Sequence, residues 1–383
     1  MSVPRIRVDG FNKNFEKKLF GEIVRSESTR MYIKSVVSDL GKYEVIQQGD
    51  IPILGYSDDR PFEKYKSVIL FGDHTLSLYR PKAPFLLATD GIKILQSTIL
   101  KRDYLYYLTQ NYIPKSQGYK RHFSVLKQVF VNYSQDSSEQ SAISSLFSTL
   151  DDLLESYKDN LANYQSLKAT MLSKMFPKAG QTVPEIRLDG FEGEWELYEL
   201  KSRAETITKG TTPKDKSWQG EVNYIKTESI NRDTGSLART ASTSLEEHLG
   251  YLKRSILKEG DVLFSIVGTL GVVGIVDKKD LPANTNQQIA IIRLKRDDAI
   301  FMLNFLKSPR IKSFIKSDST IGAQPSLSLW QIEKIKVSLP PSLEEQQAIG
   351  AYFSNLDNLI NSHQEKISQL ETLKKKLLQD MFI

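Results

Sequence analysis

Apolar side chains recur at alternating four- and three-residue steps through Ile143, Phe147, Leu150, Leu154, Tyr157, Leu161 and Tyr164. The same steps return through Ile349, Phe353, Leu356, Ile360, His363, Ile367 and Leu370. A 3.5-residue period belongs to helices that pack along a seam, so each run predicts a long helix with a coiled-coil partner. Met171 and Met175 extend the first seam, and Leu377 and Met381 the second. Lys168 and Lys374 fall where strict register wants an apolar residue. The adjacent Leu167 and Leu373 imply that the seam drifts there while the lysine stems snorkel. No proline or glycine interrupts the chain between Ser138 and Phe176. A helix of roughly 38 residues at 1.5 Å rise reaches about 55–60 Å. Ser342, with Glu345 three residues on, has the pattern of a capping box, and Ser137 or Ser138 before Glu139 and Gln140 is a looser version.

Shorter apolar runs bounded by turn residues predict strands elsewhere. Lys66 to Phe71, Thr75 to Tyr79 and Pro84 to Ala88 are strand-like in the first half. Asp261 to Val267, Val272 to Val276 and Gln287 to Leu294 are their kind in the second, with a turn over Gly268 to Gly271. Tyr104 to Asn111 and Phe301 to Phe314 read as short helices.

The chain repeats its frame. Val3 to Phe11 returns as Val183 to Phe191, identical at seven of nine places and 180 residues apart. Glu139, Gln140, Ala142, Ile143, Phe147, Leu150 and Asp151 return 206 residues later as Glu345, Gln346, Ala348, Ile349, Phe353, Leu356 and Asp357. The same register carries Leu167, Lys168, Leu172, Met175 and Phe176 onto Leu373, Lys374, Leu378, Met381 and Phe382. The intervening inserts share little sequence and differ in length by 26 residues. We therefore expect an α+β protein with an internal pseudo-twofold repeat: two mixed α/β domains, at 1–136 and 183–340, separated by two long antiparallel coiled-coil helices. The helices are placed at 137–176 and 341–383, with a linker at 177–182.

At 383 residues the chain exceeds one ordinary core and fits two domains. It has no cysteine, which excludes disulfides, cysteine metal clusters and thiol nucleophiles. The first residues lack the apolar core of a signal peptide, and the most apolar run, Val262 to Val276, is too short and glycine-broken to span a bilayer. A soluble cytoplasmic protein is expected. The formal charge of +6 permits phosphate binding without demanding it.

Phosphate-loop, zinc-protease and amino-methyltransferase motifs are absent, and the four histidines are scattered, so neither catalytic nor metal-ligating residues are predicted. Gly268, Gly271 and Gly274 sit inside a strand pair and do not open a helix, so they make a tight turn, not a dinucleotide site. What remains is polar, basic loop chemistry suited to nucleic acid. Lys209, Thr211, Thr212, Lys214 and Lys216, in the segment ending at Trp218, combine ammonium groups, hydroxyls and an indole. Asn284, Asn286, Gln287 and Gln288 carry amides able to pair with adenine, and Thr269 lies in the glycine turn. In the first half Arg60, Lys64, Lys66, Arg80 and Lys82 flank the turn that holds His74 and Thr75.

Taken in order, these motifs resemble the specificity subunit of type I restriction-modification systems over essentially the whole chain. The carriers are the doubled Val-Pro motif, the segment Ile207 to Pro213, Gly260 to Phe264 with Gly268 to Gly271, and Leu339 to Gln346. Ile69 to Thr75 and Thr89 to Lys93 add a different recognition subtype, and the first half lacks the threonine-proline loop and the Pro-Pro helix start. The resemblance implies a non-catalytic reader of double-stranded DNA, each insert being a target recognition domain for one half of an interrupted, asymmetric site. It implies two copies of a methyltransferase subunit and a motor-nuclease subunit as partners, with S-adenosylmethionine, ATP and magnesium bound by them and none by this chain. The repeated helix residues Phe147, Leu150, Phe176, Phe353, Leu356 and Phe382 are expected to hold the partner subunits. A helical ruler would fix the DNA spacer, so four residues added near the linker end of the first helix should lengthen it. The rival expectation is a coiled-coil scaffold joining two protein-binding domains.

Overall fold

The computed structural model describes residues 3–34, 36–118, 120–320 and 324–382. They form two compact units, one of Met1–Lys158 with Glu365–Ile383 and one of Asp159–Gln364.

The first unit opens with β1 (Glu16–Leu19), α1 (Phe20–Ile23), β2 (Arg25–Glu27), β3 (Tyr43–Ile46) and β4 (Ile53–Ser57). It continues through β5 (Ile69–Gly72), β6 (Leu78–Tyr79), β7 (Phe85–Leu87), β8 (Ile92–Gln96) and α2 (Arg102–Tyr112). Then come α3 (Phe123–Leu126), β9 (Phe130–Tyr133) and the start of α4 (Ser137–Lys174), a single helix of 38 residues. The strands lie in the orders β2-β8-β5-β6 and β4-β3-β7, with β1 against β9.

The second unit runs β10 (Glu196–Glu199), α5 (Leu200–Arg203), β11 (Ala204–Lys209), β12 (Val222–Ile225), β13 (Ser242–Thr243) and α6 (Leu245–Leu249). After these come β14 (Val262–Ser265), β15 (Val273–Ile275), β16 (Ala283–Thr285), β17 (Ile289–Leu294) and α7 (Ala299–Lys307). The unit ends with α8 (Pro309–Asp318), α9 (Leu329–Glu333), β18 (Lys336–Leu339) and most of α10 (Leu343–Met381). Its sheets are β11-β17-β14-β15, β13-β12-β16 and β10-β18. Strand for strand this is the pairing of the first unit, including a parallel pair, β3 with β7 and β12 with β16, in the three-stranded sheet. The inserts are therefore unlike in sequence and alike in topology. The surplus length of the second sits between β12 and β13, in α6 and its flanks, and in α8 and α9.

Alternation explains why unlike sequences build the same sheet. Ile69 and Phe71 of β5 face one core cluster while Leu70 faces another. Val262 and Phe264 of β14 likewise oppose Leu263. Central strands buried on both faces read as unbroken apolar runs, which is how both stand in the sequence. The run expected from Thr75 is a strand only at Leu78–Tyr79, because residues 73–76 make the turn and Leu76 sits at φ 61°.

The two echoes meet within each unit. Arg7 binds the buried Glu139 through Nε and Nη2 at 2.6 and 2.9 Å, and Arg187 binds the buried Glu345 at 2.8 and 2.7 Å. Such bidentate, charge-assisted pairs fix direction as well as position. Gln140 then accepts from the backbone N–H of Lys101 at the start of α2, and Gln346 from that of Asp298 at the start of α7, both at 2.9 Å. Ser342 caps α10 as expected, its Oγ accepting from the N–H of Glu345 at 3.1 Å. Neither Ser137 nor Ser138 caps α4. The Asp136 carboxylate does, from the place 206 residues before Ser342, accepting from the N–H groups of Ser138 and Glu139 at 2.8 and 3.2 Å.

The seam does not drift at the lysines. Lys168 is buried and ion-paired with Asp357, and Lys374 is paired with Asp151, while Leu167 and Leu373 point outward. A core-facing ammonium is tolerated because its counter-ion comes from the facing helix. The six helix residues expected to hold partner subunits lie inside the fold. Phe147, Leu150, Phe176, Phe353, Leu356 and Phe382 are all buried in their own chain. Phe147 packs on Phe382 in the first unit, ring centroids 6.2 Å apart, and Phe176 stacks on Phe353 in the second at 5.9 Å. The leucines of the two long helices left exposed are Leu146, Leu153 and Leu373 in the first unit and Leu167, Leu343 and Leu359 in the second.

Candidate nucleic-acid interface

Strand register decides which loops share an end of a sheet. In the second unit Lys209, the last residue of β11, faces Ala290, while Ser265, the last of β14, faces Ile289, the first of β17. The connections after β11, after β14 and before β17 thus leave one end together. Thr211 N–H donates to the Thr285 carbonyl at 2.9 Å, and the hydroxyl of Thr212 donates to the side-chain oxygen of Gln287. Gly210 permits this approach, since a Cβ there would lie 2.0 Å from the Thr285 carbonyl oxygen. We expect Gly210→Ala to destabilise the second unit by about 2 kcal/mol, as overpacking against backbone does. Chemical denaturation of the full chain checks this, and an unchanged midpoint would refute it.

Lys209, Thr211, Thr212, Lys214, Lys216, Thr269, Asn286 and Gln287 all lie at this end, with Lys209, Lys214, Lys216, Thr269 and Gln287 exposed. Two details differ from the sequence reading. The N–H groups of Lys214 and Asp215 are taken by the Glu247 carboxylate at 2.9 and 3.1 Å, so they are not offered to phosphate. Asn284 is buried, its amide donating to the Leu252 carbonyl and its oxygen bonded to His248 at 2.6 Å, so it holds the fold and reads nothing. Burial raises the Tyr224 phenol well above its usual range, so at neutral pH it is a proton donor, bonded to the Thr211 carbonyl at 2.9 Å. Trp218 is stacked near Tyr224 and carries the Lys226 ammonium 3.6 Å from its ring centroid. Behind Thr269 a cavity of about 700 Å³ is lined by Arg232, Lys307 and Lys312 among others. Burial, helped by Lys168, pushes the Lys307 ammonium down to about 8.

In the first unit Gly72 faces Ile92, so the turn after β5 and the residues before β8 share the corresponding end. Gln48 ties them together. Its side-chain oxygen accepts from His74 N–H at 3.2 Å, while Asp73 N–H donates to the Gly91 carbonyl at 2.8 Å. His74 and Thr75 are therefore at this end. Arg60, Lys64, Arg80 and Lys82 are not, since they flank the opposite ends of β5 and β6, where Tyr79 faces Leu70. Arg80 stacks on Tyr106 at 4.4 Å and pairs with Asp103 and Asp151 at 3.5 and 3.6 Å, which commits it to the framework. With Lys66, Lys82, Lys101 and Arg102 it lines an open cleft of about 870 Å³. Sequence reasoning joined these cations to the turn because they are near it in the chain. It missed Asp90, which strand register brings there, and Arg121, which the bonds of His122 and Phe123 to Asp73 bring there.

Two non-glycine residues among those described have positive φ, Leu76 at 61° and Trp218 at 56°. One lies in the turn at this end of the first unit and one in the long loop of the second. Strained backbone of this kind concentrates where loops are shaped for binding. Among the described residues no group of three or more His, Asp or Glu side chains could hold a metal ion, and no helix is long and apolar enough to cross a membrane.

Residues 192–372, which contain the whole of this second interface, match the family described as type I restriction modification DNA specificity domain. Through that stretch, a little under half of the chain, the sequence is similar to the type I specificity-domain family. The specificity subunit of the type I restriction enzyme MjaVIII, from Methanocaldococcus jannaschii, is 25% identical over 251 residues, 63% of this chain and 58% of the relative. The chain thus aligns with a little over half of that curated relative's length. Among solved structures, the type I restriction-modification S subunit from M. genitalium covers 100% of this chain and 99% of its own, with a TM-score of 0.65 and 18% identity. A structure from work on complex assembly and conformational transition of the type I system covers 96% and 97%, with a TM-score of 0.55 and 13% identity. At these identities the two structures speak for the specificity-subunit fold alone.

Proposed function

We propose that this chain is the non-catalytic, DNA-reading subunit of a type I restriction-modification complex, each insert reading one half of an interrupted, asymmetric site. The observation that carries the reading is the pairing of one strand topology with two unlike sets of loops. A recognition module used twice with different surface residues is suited to two different half-sequences, as half-site logic requires. Within each unit the two long helices pair side by side, Lys374 with Asp151 and Lys168 with Asp357, and they act as the ruler that sets the spacer. In the second unit Lys209, Thr211, Thr212, Lys214, Lys216, Thr269, Asn286 and Gln287 contact DNA. In the first, His74 and Thr75 lie at the corresponding edge, and Arg60, Lys64 and Lys82 make backbone contacts elsewhere.

Two methyltransferase subunits dock on the helices, flip the target adenine and methylate it with their own S-adenosylmethionine, and a motor-nuclease subunit cuts unmodified DNA. The outward leucines give such subunits an apolar stripe. Leu153 and Leu167 return 206 residues later as Leu359 and Leu373, so each unit presents one leucine of each pair. The aromatic core residues serve docking only by holding the helices in place.

Co-expression with the methyltransferase partner, followed by mapping of methylated adenines, tests the reading. It predicts one bipartite motif with unequal halves. Phosphate contacts also predict a log-linear fall of DNA affinity with salt, by about 10³-fold or more between 50 and 200 mM for six contacts or more. An affinity independent of salt, or no methylation motif, would count against DNA recognition and for a protein scaffold.

A further inference from the structure

The register that gathers the second unit's loops puts Gln287 two residues before β17, and in the first unit the residue two before β8 is Asp90. Asp90 is exposed, its side chain at 74%, and faces the guanidinium of Arg121, exposed at 68%, with 3.7 Å between them. The tips are free while the backbones beneath them are held. Lys93 donates to the Asp90 carbonyl at 2.9 Å. Beside Arg121, the N–H of His122 donates to the Asp73 carbonyl at 2.9 Å and that of Phe123 to the Asp73 carboxylate at 2.7 Å.

An ion pair this exposed contributes little to stability. A carboxylate on a surface that approaches phosphates weakens binding through like-charge repulsion. It becomes useful where it faces a base amino group, because then it penalises the wrong base. Resting on the DNA-reading function above, we propose that Asp90 and Arg121 are the specificity-determining pair of the first unit and read a G·C base pair in the major groove. The guanidinium donates to guanine O6 and N7, and the carboxylate accepts from cytosine N4.

The test uses the full chain in complex with its methyltransferase partner, and reads the methylated motif for wild type, Asp90→Ala, Asp90→Asn, Arg121→Ala and Gln287→Ala. Both Asp90 variants and Arg121→Ala should relax one G·C position of one half-site by roughly tenfold to a hundredfold. The other half and the spacer should stay as in wild type, while Gln287→Ala alters that other half. Wild-type base preferences in both Asp90 variants overturn the proposal. So does loss of all methylation in Asp90→Ala while Asp90→Asn keeps the wild-type motif, since that marks a structural role. A wild-type complex that specifies no motif removes the DNA-reading function itself.

Discussion

Four residues inserted into α4 between Lys158 and Tyr164, matched by four in α10 between His363 and Glu371, should leave both half-sites unchanged and lengthen the spacer. Four helical residues add about 6 Å of rise, which is roughly two base-pair steps of 3.4 Å. The structure sharpens where the insertion belongs. In the first unit the helices are registered by Lys374 with Asp151 and by Lys158 with Glu371. In the second they are registered by Lys168 with Asp357 and by Tyr164 packed on His363. A matched insertion between these nodes keeps all four. The same insertion in α4 alone, after Lys168, would carry Phe176 away from Phe353. Four extra residues form a stutter, which the supercoil absorbs by unwinding locally. Methylome mapping reads the outcome, and altered half-site bases with an unchanged spacer would refute the helical ruler.

The second large effect is on stability. Lys168→Met should destabilise the second unit by about 3–5 kcal/mol, because it strands the Asp357 carboxylate in the core. The two side chains are only 8% and 12% exposed, so solvent screens the pair little. For a unit of this size that is a fall in Tm of roughly 10 °C. Replacing both residues with leucine should recover most of it, since apolar packing substitutes well for a buried pair. Calorimetry on the full chain separates the cases. Equal losses in the single and double variants would refute the stranded carboxylate as the cause. The pair of Lys374 and Asp151 is more exposed, at 13% and 25%, and its loss should matter less.

The long helices were legible because a 3.5-residue period over many turns has one structural solution. The lysines on the seam were misread because sequence cannot reveal that Lys168 meets a carboxylate 189 residues away. The strands β5 and β14 were legible as apolar runs, and the helix start at Ser342 as a cap. The proposed interface was legible in the second unit, where Thr212 and Gln287 stand in polar runs that look like loops. In the first unit it was half hidden. His74 and Thr75 lie beside β5 in the chain, but Asp90 and Arg121 reach the same edge only through strand pairing and the anchoring of Asp73. A search for cations alone also passes over an aspartate.

The helix ends have a consequence for biosynthesis. Ile186 N–H donates to the Lys174 carbonyl at 3.0 Å, and Ile6 N–H donates to the Asp380 carbonyl at 3.2 Å, in corresponding places of the two units. The first joint closes over a short stretch of chain. The second must wait for residues made some 370 positions later. Phe147 waits equally for Phe382. The half that leaves the ribosome first is thus the half that closes last, and a prematurely terminated product exposes its aromatic core to chaperones and proteases.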